Sequence, residues 1–387
     1  MNGDRFEFLA KKLDALRDID AYRKLVPRDH GDGFLIERDG RRLINFGSND
    51  YLGLSSSCEK SPDPLFSGAG ASALVSGFTN LHDQLCRDLA DLEQTEAAVV
   101  FPSGYAACSG TVSTLAEEGD LLLTDSLNHA SLIDGGRLSR ATRYTYPHCN
   151  AEAVRKLLVR NRHNHSRAWI VTDGVFGMDG DVAPLETLCD LADQFDAHLV
   201  VDEAHATGVL GIDGSGCCAE LGVKSRVAIR IGTMSKAIGS HGGFVVGPQV
   251  VIDYLINRCR PLIFSTAGSP MTISAAIAAV KLIRDEPQRR ANVRSLAEHL
   301  RTRLRERFPT KVSPSDVRGV PIVPLIIGAN EDALRIASQL NRDGFFVPAI
   351  RPPTVPKGTA RLRISVTSNH SLETVEALLE KLFIAGI

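Results

Sequence analysis

Hydrophobic positions along the chain follow two alternating patterns. Over residues 83–93, Leu85, Leu89 and Leu92 return at helical spacing, and the unbroken apolar run AAVVF (Ala97–Phe101) follows before Pro102-Ser103-Gly104. A helix feeding a strand that enters a second helix is predicted. The pattern returns with AWIVTD (Ala168–Asp173), PLETLCDLADQF at 184–195 and AHLVVDE at 197–203, read as strand, helix and strand. Apolar runs without alternation suit strands buried on both faces, and such strands joined by helices are parallel. The predicted fold class is α/β, a mostly parallel sheet sandwiched by helices.

After Ser269-Pro270 the character changes to two long helical stretches, MTISAAIAAVKLIRDE and ANVRSLAEHLRTRLRERF, whose apolar residues fall on one stripe. The remainder alternates strand and helix and ends in LETVEALLEKLF, where Leu372, Val375, Leu378, Leu379 and Leu382 share a helical face. A large domain over 46–270 and a smaller α+β domain over 271–387 are expected, with residues 1–45 packing against the smaller one. A length of 387 residues exceeds what one core usually organises.

Composition narrows the function classes. Apolar residues make up 43% and charged residues 23%, as in soluble globular proteins rather than disordered or fibrous chains. Net charge is -2, with 44 basic against 46 acidic residues, so no broad field favours nucleic acid or an anionic membrane, and small molecules are the expected partners. The basic run at 155–167 lacks interleaved aromatics and reads as a solvated helix and loop. No stretch approaches the about 20 apolar residues that span a bilayer, and the start MNGDRFEFLAKKLDALRD is charged and amphipathic, so a cytoplasmic address is expected. The 8 cysteines, including the pair Cys217-Cys218, show no CxxC spacing. They read as reduced structural thiols, with no metal site expected.

Ligands of open α/β sheets bind beyond the carboxyl ends of the strands. The polar residues there are Ser103-Gly104-Tyr105 after AAVVF, residues 173–179 after AWIV, Asp202 to His205 after AHLVV, and Thr233 to Lys236 after VAIRIG. Each alone has an ordinary reading as a turn, a cap, a surface ion pair or a loop lysine. Together they supply what a pyridine aldehyde phosphate needs. Lys236, in the small-residue segment GTMSKAIGSHGG, can reach an aldehyde; Asp202 can keep a ring nitrogen protonated; His205 can reach the ring from the same loop. Gly104 and Tyr105 open a helix whose amides can hold a phosphate. Arg351, before Pro352-Pro353, is a guanidinium on a stiff segment suited to a carboxylate.

The segments SNDYLGL (48–54), NHAS (128–131), VDEAHATGVLG (201–211) and GTMSKAIGSHGG make the chain resemble the α-oxoamine synthases over nearly its whole length. The resemblance implies a fold-type I pyridoxal 5'-phosphate (PLP) transferase, a homodimer with active sites at the subunit interface, and decarboxylative condensation of an amino acid with an acyl thioester. The segment AIRPPTVPKGTARLRIS (349–365) is most similar to the branch that joins L-alanine to a pimeloyl thioester, carried on CoA or acyl carrier protein, in biotin biosynthesis. Position by position, the resemblance implies that Lys236 carries the cofactor and that Asp202 pairs with its ring nitrogen. His205 matches the ligand of its hydroxyl, His129 the histidine stacked on its ring, and Gly104, Tyr105 and Thr233 further cofactor contacts. Arg351 and Thr354 fall in the substrate segment, and Arg23 in DAYRKLVP matches an N-terminal substrate arginine.

Three departures from the family pattern stand out: Gly177 where a serine is common, Ala73 where a larger residue is common, and a short Ser/Pro-rich connection at 55–67. Sister synthases using glycine or serine with other acyl-CoAs share the implied fold, and the IRPPTVP segment argues against them. A non-catalytic partner subunit is disfavoured by the retained Lys236, Asp202 and His205. A nicotinamide dehydrogenase is disfavoured by the lack of a G-x-G-x-x-G turn near the start.

Overall fold

The computed structural model describes residues 7–24, 26, 29–30, 34–38, 40–56, 68–313, 315 and 317–387. Seven strands form the central sheet, in the order Ala97–Phe101, Gly243–Gly247, Ile229–Thr233, Ala197–Asp202, Ala168–Asp173, Leu121–Asp125, Thr142–Tyr146. The continuous apolar runs are divided by the two-residue period of a strand. Leu121, Leu123, Ile170, Leu199 and Val201 enter one core with the helices Asn80–Glu93, Ala151–Asn161 and Leu185–Phe195. Their neighbours Leu122, Trp169, Val171 and Val200 enter the opposite core with Gly104–Leu115 and Gln249–Arg258. Burying each large aliphatic side chain stabilises the fold by about 1.5–3 kcal/mol, so every strand is held from both sides.

Six strands run parallel, and Gly243–Gly247 is antiparallel to both neighbours. Only residues 234–242 separate it from the preceding strand, too few for the crossover that a parallel return requires. The chain therefore turns back tightly at the carboxyl end of the sheet. Lys236 sits in that turn.

A second, antiparallel sheet joins Ile322–Gly328, Ala360–Ser365 and Ala349–Ile350. Leu300 of helix Pro287–Arg307, Leu340 of Asn330–Arg342 and Leu378 of Leu372–Ile384 pack with its Leu325, Leu362 and Ile364 in a core continuous with the first. Near the N-terminus, strand Arg41–Asn45 pairs in parallel with Phe345–Phe346.

Boundaries differ from expectation where capping intervenes. The helix expected from residue 83 starts at Asn80, because His82 Nδ1 accepts from the Thr79 N–H at 3.2 Å, satisfying a donor that the first turn leaves open. Ala73 lies in a short helical turn, Ala73–Gly77. Of the connection at 55–67, residues 57–67 lie outside the described residues. The seven described cysteines are free thiols, and among the described residues no helix is long and apolar enough to cross a membrane.

Candidate active site

The Lys236 turn is anchored from within. Met234, Ala237 and Ile238 are buried to 1% exposure, the Met234 N–H donates to Gly242 O at 3.0 Å, and the Thr233 hydroxyl donates to the same oxygen at 2.9 Å. Lys236 itself is half-buried. Burial drives its amine down, while Asp202 and Asp173 pull it up; burial wins and the pKa falls to about 8. A neutral, nucleophilic amine is thus populated far below the ordinary lysine range.

Asp202 and Asp173 end adjacent parallel strands in register, each 4% exposed. Asp202 Oδ1 accepts from the Ala204 N–H at 2.9 Å, and Oδ2 lies 3.1 Å from Cys108 Sγ, whose thiol burial keeps protonated. Asp173 Oδ2 accepts from the His129 N–H at 2.7 Å; burial and repulsion by Asp202 push its carboxyl well above the ordinary range. Neither has an arginine or lysine ion-pair partner among the described residues, and the positive charge that acts on this pair comes from Lys236. Two buried carboxyl groups beside one depressed lysine leave the pair short of positive charge and suited to a further cation. The adjacent Glu203 serves the backbone instead. Its oxygens accept from the Cys217 and Cys218 N–H groups, both at 2.8 Å, fixing the turn after Asp202.

His205, 7% exposed, has Nδ1 2.8 Å from the Tyr51 hydroxyl, and a Cβ at Gly177 would lie 2.4 Å from its Nε2. Burial, then Lys236, Arg363 and His129, hold its pKa well below the ordinary value, so the ring is neutral. Arg363 was not singled out by sequence reasoning. Its Nε donates to Gly177 O at 2.6 Å, and Nη1 to Asn49 Oδ1 at 3.0 Å and Ser365 Oγ at 2.8 Å, while Nη2 is buried without a partner. Among the described residues it has no ion-pair partner, whereas Arg361 on the same strand pairs with Asp179. The signal was the alternation in ARLRIS, which puts both arginines on one face of a buried strand.

His129 precedes helix Ala130–Leu138 and has Nδ1 2.6 Å from Ser131 Oγ. It lies on the open side of the site, near enough to Asp202 and Lys236 to be affected by both, with burial the largest influence and its pKa lowered. Gly104 begins helix Gly104–Leu115 behind the N-cap Ser103, and a Cβ there would come within 2.9 Å of Thr233 Oγ1. The missing side chain lets the helix start approach Thr233 closely, and the first amides of that helix suit a phosphate. Tyr105 is 46% exposed, hydrogen-bonds Asp134 and meets the His129 ring edge-on at 6.4 Å.

Arg23, Arg351 and Thr354 form a separate group. Arg23 Nη2 donates to Thr354 Oγ1 at 2.9 Å and to Arg351 O at 3.5 Å, and Arg351 donates to the Asp20 carbonyl while its Nε is buried without a partner. Arg351 is thus partly engaged within the protein, and the guanidinium bonded beside His205 and Asn49 is Arg363.

The residues fit PLP: an amine of lowered pKa, a buried carboxylate needing a cation, a neutral imidazole and an open helix start converge at one end of the sheet. The chain belongs to the aminotransferase class I and II family, which matches over residues 41–382. Within that family it is a PLP-dependent acyltransferase of the α-oxoamine synthase type. It is 40% identical over 386 residues to an 8-amino-7-oxononanoate synthase from Lysinibacillus sphaericus, spanning 98% of this chain and 97% of that one. A solved serine palmitoyltransferase from Sphingomonas wittichii superposes with TM-score 0.89 at 29% identity, covering 99% of this chain and 97% of the other. A Francisella tularensis 8-amino-7-oxononanoate synthase structure gives TM-score 0.73 at 27% identity, over 88% and 97%.

Proposed function

We propose that the protein condenses L-alanine with a pimeloyl thioester, carried on CoA or acyl carrier protein, to give 8-amino-7-oxononanoate, carbon dioxide and the free thiol carrier, a step of biotin biosynthesis. The full-length 40% identity to an 8-amino-7-oxononanoate synthase supports this substrate pair over the glycine and serine alternatives. The structural observation that carries the amino-acid half is Arg363, a buried guanidinium with an unpartnered Nη2, whose bonding an α-carboxylate would complete.

Bound PLP supplies an electron-withdrawing ring that acidifies the amino acid's α-carbon. Lys236 would hold the cofactor, and its free amine would take up the α-proton of the amino acid. Asp202 would keep the ring nitrogen protonated, His205 would donate to the ring hydroxyl oxygen, and the Gly104 and Tyr105 amides with Thr233 would hold the phosphate. The α-carbon then bonds to the thioester carbonyl carbon, the C–S bond breaks and the thiol leaves with a proton. His129 would lie against the cofactor and stabilise the thioester carbonyl oxygen as charge develops there. Loss of carbon dioxide from the resulting β-keto acid, and return of a proton to the α-carbon, complete the stoichiometry. Arg23, Arg351 and Thr354 contact the acyl substrate, and the active form is a homodimer.

The test is a product assay pairing alanine, glycine or serine with pimeloyl, acetyl and long-chain thioesters. The nine-carbon amino ketone is expected from alanine and pimeloyl donors alone; preference for glycine or serine with another thioester replaces the proposal with a sister activity. Lys236→Ala removes both turnover and the borohydride-reducible visible band, and persistence of either overturns the lysine's role.

A further inference from the structure

We propose that Tyr51 is a positioning residue whose hydroxyl fixes the tautomer of His205 that presents Nε2–H to the cofactor. The proposal rests on the reading that His205 faces the bound ring. Tyr51 is fully buried and has one hydroxyl proton for two neighbours, His205 Nδ1 at 2.8 Å and Asn49 Oδ1 at 3.2 Å.

Charge decides between them. Asn49 Oδ1 already accepts from Arg363 Nη1 at 3.0 Å, and the same guanidinium acts on the Tyr51 hydroxyl oxygen. With Asn49 Oδ1 already engaged by the cation and the farther of the two, the phenol proton goes to His205 Nδ1, the shorter contact. His205 is held neutral by burial, with Lys236 and Arg363 acting in the same direction. A neutral imidazole carries one N–H; with Nδ1 accepting from Tyr51, that proton is on Nε2.

Gly177 closes the other side. A Cβ there would stand 2.4 Å from Nε2, so the imidazole occupies space that any side chain at 177 would take. This gives the departure at 177 a physical reason: the bare backbone admits the ring, and Arg363, bonded to Gly177 O at 2.6 Å, holds that backbone in place.

The experiment compares the parent protein with Tyr51→Phe, reading the PLP dissociation constant of the apoprotein by fluorescence and the pH midpoint of the holoprotein's visible band. Without the phenol proton, Nε2–H is no longer enforced beside the ring oxygen whose negative charge it stabilises. PLP is therefore expected to bind about five-fold more weakly, and the midpoint to move to higher pH by about half a unit or more. Gly177→Ala, which displaces the imidazole from the other side, carries the same expectation if Tyr51→Phe fails to fold. A midpoint that stays or falls overturns the proposal. Absence of a visible band in the parent protein overturns the assignment of Lys236 first, and this proposal with it.

Discussion

Lys236 shows how a single side chain is tuned by opposing effects. Burial alone would depress its amine further, and the nearby carboxylates of Asp202 and Asp173 limit the fall to about 8. Only the neutral amine attacks an aldehyde, so capture of PLP by the apoprotein is expected to accelerate as pH rises to about 8 and to level off above it. Stopped-flow absorbance checks this; continued acceleration toward the ordinary lysine range, about 10.4, contradicts it. Arg363 offers a second residue-scale outcome. Arg363→Gln is expected to weaken amino-acid binding at least about ten-fold while leaving the cofactor band in place, read as the amino-acid concentration needed for half the spectral change. Of these residues, sequence pattern led directly to Lys236, Asp202 and His205 because each closely follows an apolar strand. Arg363 escaped because the alternation in ARLRIS marks it and Arg361 alike, and only spatial neighbours reveal which of the two lacks an acidic partner.

Elements are held by buried charge as well as by apolar stripes. Arg230, 3% exposed, pairs with fully buried Glu93 at 3.0 Å and also donates to the carbonyls of Glu93 and Val227. It thereby ties the end of helix Asn80–Glu93 to the strand Ile229–Thr233. Arg230→Met leaves Glu93 unpaired in the core and is expected to destabilise the protein by about 3–5 kcal/mol, measurable by urea unfolding. His148 links three strand-end loops, with Nδ1 3.0 Å from Asp125 and Nε2 2.7 Å from Asp181. Burial opposes its charge, but both carboxylates outweigh that and raise its pKa to about 12. A raised folded pKa means that the imidazolium bridge stabilises fully below the unfolded value of about 6.5 and loses that contribution as pH rises toward 12. His148→Leu should therefore cost about 2 kcal/mol near pH 6 and progressively less at pH 9. Equal losses at the two pH values would refute this. The strands and helices were legible from apolar spacing, whereas these ion pairs join residues far apart in sequence and were not.

On the scale of the whole molecule, exposed apolar side chains gather on neighbouring segments: Leu74 and Val75 at 56% and 79% exposure, and Phe264 at 71%. The short turn that bears the first two is tied to the second segment through the bridge between Ser72 and Thr266. Surfaces of this kind mark interaction sites, and a second copy of the chain is the partner expected here. Val75→Asp together with Phe264→Asp is expected to convert a dimer to a monomer by light scattering and to weaken PLP binding; an unchanged mass places the interface elsewhere.

What the sequence by itself determined was the layered α/β architecture and the end of the sheet where Lys236, Asp202 and His205 gather. Period-two and helical spacing are local properties, and a strand's end follows from where its apolar run stops. The tertiary structure alone decided which strand runs against the rest, that Arg363 lies beside His205, and that Tyr51 and Gly177 clasp that imidazole. Each of these depends on distances between segments far apart in the chain or on the shortness of one return, and packing sets such distances.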